Sequence, residues 1–97
     1  MKATILLMSA DEADMLRHSL PAALAQGAEE VVVLDNASGD DTEAVAREHG
    51  ATYLRLPERR SYAEAMNEGI RRTGGDALLL LNADCFLAPG FLAHALA

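Results

Sequence analysis

Leu78-Leu79-Leu80-Leu81-Asn82-Ala83-Asp84-Cys85 is the stretch on which the fold turns. Four leucines end abruptly in an amide, a small residue and a carboxylate. An apolar run this short suits a strand buried on both faces of a parallel sheet. Polar groups just past its end then lie at the carboxyl edge of that sheet, where open α/β sheets bind ligands. Val31-Val32-Val33-Leu34-Asp35-Asn36 repeats the pattern. Two apolar strands that each release an aspartate predict one crevice into which Asp35 and Asp84 both point.

Outward from these strands, two periods alternate along the chain. Ala3 to Met8 reads as a first strand. Asp11, with Asp14 three residues on, reads as the cap of a helix whose stripe is Leu16, Leu20, Ala23 and Leu24, ended by Gly27. Glu30 to Asp35 is the second strand, and Asn36 to Gly39 a turn rich in cap-forming residues. Asp40-Asp41-Thr42-Glu43 places acids at the positive end of a second helix, which stops at Gly50. Ala51 to Leu56 is a third strand. Ser61-Tyr62-Ala63-Glu64 has capping-box spacing and opens a third helix, closed by Gly74-Gly75. Asp76 to Leu81 is the fourth strand, and Pro89 suits the first turn of a last helix, Gly90 to Ala97. The order β-α-β-α-β-α-β-α predicts an α/β fold. It is an open, mostly parallel sheet with helices on both faces, joined by right-handed crossovers.

Composition sets limits on function. The 97 residues make one small domain with a thin core. Fifteen acidic against eight basic residues give a net charge of −7. Phosphate backbones require clustered Lys and Arg, so nucleic acid is excluded as a partner, and an anionic membrane is disfavoured. A small phosphate-bearing ligand remains open, provided a cation lies between. The single cysteine, Cys85, fits a reducing compartment, and a cytoplasmic location is expected. No apolar run approaches the ~20 residues of a membrane span, and tethering through a longer parent protein is left open. No G-x-G-x-x-G follows the first strand, which argues against a dinucleotide-dependent dehydrogenase. His18, His49 and His94 lack metal-site spacing. Arg55, Arg59 and Arg60 form a cluster that could meet a phosphate, though flexible surface charge is the commoner role for such residues. Met8, Met15 and Met66 read as core fillers. The stretch Phe91 to Ala97 is mid-helix in character, and a four-leucine strand at a sheet edge would be adhesive. Both predict a domain cut at its carboxyl end, or a homo-oligomer in which another copy covers that surface.

Four segments in order resemble family 2 glycosyltransferases of the GT-A fold, over nearly the whole chain. Ile5 to Ala10 stands where that family's first strand ends. Val32-Val33-Leu34-Asp35-Asn36-Ala37-Ser38-Gly39-Asp40-Asp41-Thr42 resembles its "VVDNGSTDGT" stretch, and Tyr62 to Ile70 its "FAxAxNxGI" helix. Leu80-Leu81-Asn82-Ala83-Asp84, followed by Pro89-Gly90-Phe91-Leu92, resembles the "LNPD…PGFL" form of the family's DXD motif, found in a rhamnosyltransferase-like subset.

The resemblance implies an amino-terminal donor half that binds a nucleoside diphosphate sugar, of uridine or thymidine type. It implies that the sugar passes to an acceptor hydroxyl, with a saccharide or lipid-linked saccharide as the acceptor. Asp84 would hold Mg²⁺ or Mn²⁺ against the diphosphate, as oxygen ligands suit those ions. Asp35 would accept from the base's ring N–H. Ser9 and Ala10 would border the base, while Asn67, Asp76 and Asn82 lie in segments that line the donor pocket. Some positions depart from the pattern. Ala10 offers no stacking face, Met66 stands where many members have Arg, Ser61 replaces a usual Gly, and Cys85 beside Asp84 is a soft ligand. The family's catalytic base belongs to a second half and has no counterpart among these residues, so catalysis is not expected of the 97 residues alone. A catalytically silent nucleotide-binding module and an assembly domain with a degenerate site are the competing readings.

Overall fold

The computed structural model describes residues 2–96, so Met1 and Ala97 lie outside it, the latter with the expected end of the last helix. In chain order the elements are β1 (Ala3–Ser9), α1 (Ala13–Leu24), β2 (Glu30–Asp35), α2 (Thr42–Glu48), β3 (Thr52–Arg55), α3 (Tyr62–Arg72), β4 (Ala77–Asn82) and α4 (Phe91–Leu96). All three strand pairings are parallel and the order across the sheet is β3-β2-β1-β4. The expected open α/β sheet is thus present. No helix among the described residues is long and apolar enough to cross a membrane.

Alternation along the strands divides the core in two. Ile5, Leu7, Val31 and Val33 meet Leu16, Leu20 and Ala23 of α1 and Val45 and Ala46 of α2. Leu6, Met8, Val32 and Leu34 face the other way and meet Ala65 and Met66 of α3. Gly69 lets α3 sit close: a Cβ there would lie 2.8 Å from the Cδ2 atoms of both Leu34 and Leu6. Gly69→Ala is therefore expected to destabilise. Overpacking costs ~1–3 kcal/mol, and the better helix propensity of Ala returns only ~1. The net loss of about 1 kcal/mol should lower Tm by ~4–8 °C in a circular-dichroism melt.

Strand order corrects two expectations. The strand buried on both faces is β1, all seven residues of which are buried, and not the leucine run. β4 lies at the edge; Leu81 is buried, but Leu80 is 40% exposed because α3 covers β1 and β2 rather than β4. β2 and β4 also lie on opposite sides of β1, not side by side. Met15, read as a core filler, is 46% exposed, whereas Met8 and Met66 are buried.

Local corrections concern caps. Asp11 does not cap α1: it takes a left-handed backbone (φ 57) two residues before the helix. Asp40 of the β2–α2 loop does that work instead, its Oδ2 accepting from Ala13 N–H at 2.9 Å. Ser61 caps α3 as expected, its hydroxyl accepting from Glu64 N–H at 3.3 Å. Pro89 precedes α4 by two residues.

Candidate functional site

A sheet ordered β3-β2-β1-β4 has its topological switch point between β1 and β4, since the chain leaves β1 in one direction for β2 and β3 and returns on the other side for β4. Ligands bind outside the carboxyl ends of the strands at such a point. Ser9, Ala10 and Asp11 leave β1 there, and Asn82 and Asp84 leave β4, with Met8 and Asn82 in register.

The β4 end is built as a turn. Cys85 N–H donates to Asn82 C=O at 3.0 Å, and the fully buried Ala83 anchors the bend in the core. This leaves Asn82 and Asp84 exposed. Cys85 is half-buried and packs against the α1-side core. Among the described residues no three His, Cys, Asp or Glu side chains cluster to hold a metal ion. A cation here would have Asp84 as its one protein carboxylate. That fits Mg²⁺ or Mn²⁺, which commonly take one or two carboxylates and complete their shell with substrate phosphates and water.

The β2 end is organised differently from the expectation. Asp35 is fully buried. Its Oδ1 accepts from Ser38 N–H at 2.8 Å, and its Oδ2 accepts from the Tyr53 hydroxyl and from Arg55 Nη1 at 3.1 Å. Three of about four acceptor positions on the carboxylate are taken, and the side chain is 1% exposed. Asp35 therefore does not share an open crevice with Asp84, and no face of it is free for a ring N–H. It ties β2 to β3 and shapes the 36–39 turn, helped by Arg55 Nη1 donating to Ser38 C=O at 2.9 Å. Tyr53 was invisible as a site residue in the sequence, and Arg55 read there as one of a cluster of surface charges. Their only signal is their alternate spacing on β3, which the Asp35–Arg55 register turns into contact.

Ser9 is also sealed, its hydroxyl 3.0 Å from that of Thr42, so it braces α2 rather than bordering a ligand. Ala10 is half-buried at the mouth. Asn67 is exposed in the second turn of α3 and hydrogen-bonds to none of the other candidates. Asp76 stands apart: it precedes β4 at the amino edge, the opposite end of the sheet, where its Oδ2 accepts from Lys2 N–H at 2.9 Å. Strand direction places it away from Asp84, and it is not a member of this site. Two shallow hollows, of about 210 and 150 Å³, lie at that amino end too, against α4 and lined by Ala3, Leu92 and Leu96.

Between β1 and β2 a second group of side chains closes the edge. Asp11 Oδ1 accepts from Gly39 N–H at 2.7 Å, and Asp11 N–H donates to Ser38 Oγ at 2.8 Å. Arg59 pairs with Asp11 through Nη2 and is steadied by Nε donating to Asn36 C=O at 2.6 Å. Asn36 spends its amide on the backbone of Arg60, Oδ1 accepting from the N–H and Nδ2 donating to the C=O, both at 2.9 Å. Arg59, read as loose surface charge, is thus fixed across the loops.

The electrostatics follow from these contacts. The Gly39 N–H and then Arg59 hold the Asp11 carboxyl below its ordinary value. Burial works against ionisation of Asp40, but donation from the Thr42 hydroxyl and the Ala13 and Thr42 N–H groups outweighs it, so Asp40 is lowered too. Burial, and then the carboxylate of Asp35, push Tyr53 up to about 12. A raised acid contributes stability that is complete below its unfolded value near 10 and is lost as pH climbs to about 12. Urea midpoints should accordingly fall through that window in the native chain. In Tyr53→Phe, already weaker at neutral pH, this part of the decline should be absent.

A sequence profile described as "Glycosyl transferase family 2" matches residues 4–97. The chain belongs to that glycosyltransferase family. It is 36% identical over 98 aligned positions to the succinoglycan biosynthesis protein ExoU of Rhizobium meliloti, covering 95% of this chain and 29% of that one. Among solved structures, it resembles the mannosyltransferase of Pyrobaculum calidifontis in complex with GDP-Man and Mn²⁺, with TM-score 0.89 and 28% identity, over 98% of this chain and 31% of that one. The glucosyl-3-phosphoglycerate synthase of Mycobacterium tuberculosis, in complex with Mn²⁺, UDP and phosphoglyceric acid, gives TM-score 0.81 and 25% identity, over 95% and 36%. The chain therefore spans about a third of the length of each of these three proteins. Both of those complexes contain Mn²⁺.

Proposed function

We propose that this glycosyltransferase chain is the donor-binding half of an enzyme that passes a sugar from a nucleoside diphosphate sugar to an acceptor hydroxyl, in the cytoplasm. The observation that carries this reading is the exposed Asn82–Asp84 turn facing the end of β1 at the switch point of the sheet. GDP-Man and UDP in the two similar structures support a nucleoside diphosphate as the bound group. Leu81-Asn82-Ala83-Asp84 with Pro89 to Leu92 supports the rhamnosyltransferase-like subset.

Sugar transfer breaks the bond between the anomeric carbon and the phosphate oxygen, leaving charge on the diphosphate, while the acceptor oxygen bonds to that carbon and loses its proton. A divalent cation supplies the charge compensation, and Asp84 is the residue that would hold it. Asn82, exposed beside it, can donate from its amide to a phosphate oxygen. The proton needs a general base, and three of the carboxylates at this edge are engaged: Asp35 is sealed, Asp40 caps α1 and Asp11 is paired. We therefore assign the base, with the acceptor site, to residues outside these 97. The acceptor is a saccharide or lipid-linked saccharide.

Calorimetric titration tests the reading. GDP or UDP should bind the chain in Mn²⁺ and weaken sharply in chelator. Absence of binding by any nucleoside diphosphate with Mn²⁺ present contradicts it.

We further propose that copies of the chain associate through the outer edge of β4. Among the described residues that edge has no strand partner, and Leu80 of β4 is 40% exposed. Apolar burial is worth ~25 cal/mol per Å², so a few hundred Å² offers several kcal/mol before association costs. Sedimentation at micromolar concentration should show a dimer or larger species that Leu80→Lys returns to monomer.

A further inference from the structure

The turn that carries Asp84 is not held by the sheet alone. Beyond it the chain runs without regular structure through residues 85–88 and enters α4 at Phe91. Cys85 and Leu87 tuck against the α1-side core, and Leu92 is the one buried residue of α4. Among the described residues, the hydrogen bonds that tie residues 86–92 to the rest of the chain all come from one side chain. That side chain is Gln26, two residues past the end of α1 and half-buried. Its Nε2 donates to Ala88 C=O at 3.0 Å and to Ala22 C=O at 3.2 Å, and its Oε1 accepts from Leu92 N–H at 2.9 Å. The first bond clasps the connection, and the second fixes the amide to the last turn of α1. The third gives α4 a cap that neither Pro89 nor Gly90 has a side-chain group to supply.

We propose that Gln26 is a positioning residue for the cation site: by clasping Ala88 and capping α4 it holds the segment that begins with the Asn82–Asp84 turn. This rests on the donor-site reading above and extends it to a residue at the far end of α1. Asp84 is exposed, so its carboxylate is aimed through the backbone of the turn. That backbone has β4 on one side and the connection to α4 on the other. A six-residue helix does not persist in water by its own hydrogen bonds, so α4 keeps its place through Gln26 and Leu92. Freedom left in the turn has to be given up when a cation binds, and that ordering subtracts from affinity. One protein carboxylate on the ion makes the site especially sensitive to it.

The test compares Gln26→Ala with Val45→Ala, which loosens the core under α2 and leaves the connection untouched. GDP and UDP are titrated into each chain by calorimetry, with Mn²⁺ and with chelator, well below the melting temperatures. The ratio of the two affinities isolates the contribution of the cation. Gln26→Ala should lower that ratio about fivefold, the worth of one ordinary hydrogen bond, and leave the affinity in chelator unchanged. Without ligand, its Cys85 amide, which bonds to Asn82 C=O and not to Gln26, should exchange with solvent about threefold faster or more. Val45→Ala should keep the native ratio. A native ratio in folded Gln26→Ala, or unchanged exchange at Cys85, overturns the proposal and leaves the donor site standing. An equal fall in Val45→Ala overturns it too, since the effect would then be one of general stability. Failure of both nucleotides to bind the native chain removes the donor-site reading, and the proposal falls with it.

Discussion

Asp35→Ala should unfold much of the chain at room temperature. The substitution strands the Tyr53 hydroxyl in a half-buried position and removes the acceptor shared by Arg55 and the partner of Ser38 N–H. Removing one partner of a buried, hydrogen-bonded ion pair costs about 3–5 kcal/mol, against ~5–15 kcal/mol for the whole stability of a typical domain. The figure rests mainly on the orphaned hydrogen bonds, because Arg55 is 46% exposed and water screens its charge. Urea unfolding followed by circular dichroism measures it directly. A loss under 1 kcal/mol would mean that the Asp35 cluster is not what joins β2, β3 and the 36–39 turn.

Asp84→Asn should leave stability almost untouched and remove metal-dependent binding. The side chain is exposed and makes no hydrogen bond or ion pair with the described residues, so folding gains little from its charge. A cation clamp on a diphosphate is worth several kcal/mol, and its loss should weaken nucleoside diphosphate binding in Mn²⁺ by roughly 10²-fold or more. Chelator should then make no further difference. The two substitutions should separate the strand-end carboxylates that look alike in the sequence, with stability lost at Asp35 and metal-dependent binding lost at Asp84.

That contrast marks how far the sequence could be read. Strand positions were legible because parallel strands with covered faces must be apolar runs, and the helices because their stripes and caps are local. The carboxyl edge was legible for the same reason, since an apolar run that stops at a polar residue marks where the sheet meets solvent. Depth was not. Four leucines in β4 and three valines in β2 look equally buried, but the strand order, set by long-range pairing, puts β4 at the rim and leaves Leu80 exposed. Nor could the sequence separate a sealed aspartate from an open one. Asp35 is closed by Tyr53 and Arg55 arriving from β3 in register, whereas the Asn82–Cys85 turn lifts Asp84 clear. The spacing of Asp11 suits a helix cap, but Asp40, distant in sequence, supplies the acceptor for Ala13 N–H and Asp11 pairs with Arg59 instead.

The central claim, a cation-assisted nucleotide site at the β1–β4 switch point, is tested most directly by amide line broadening from Mn²⁺ added with GDP or UDP. Paramagnetic broadening falls steeply with distance from the ion, so it maps the site residue by residue. The account predicts that the amides of residues 9–11 and 82–86 broaden first, and that Asp84→Asn abolishes the pattern. Broadening spread over the exposed carboxylates of α1 and α2, or centred at the amino edge near Asp76, would contradict it.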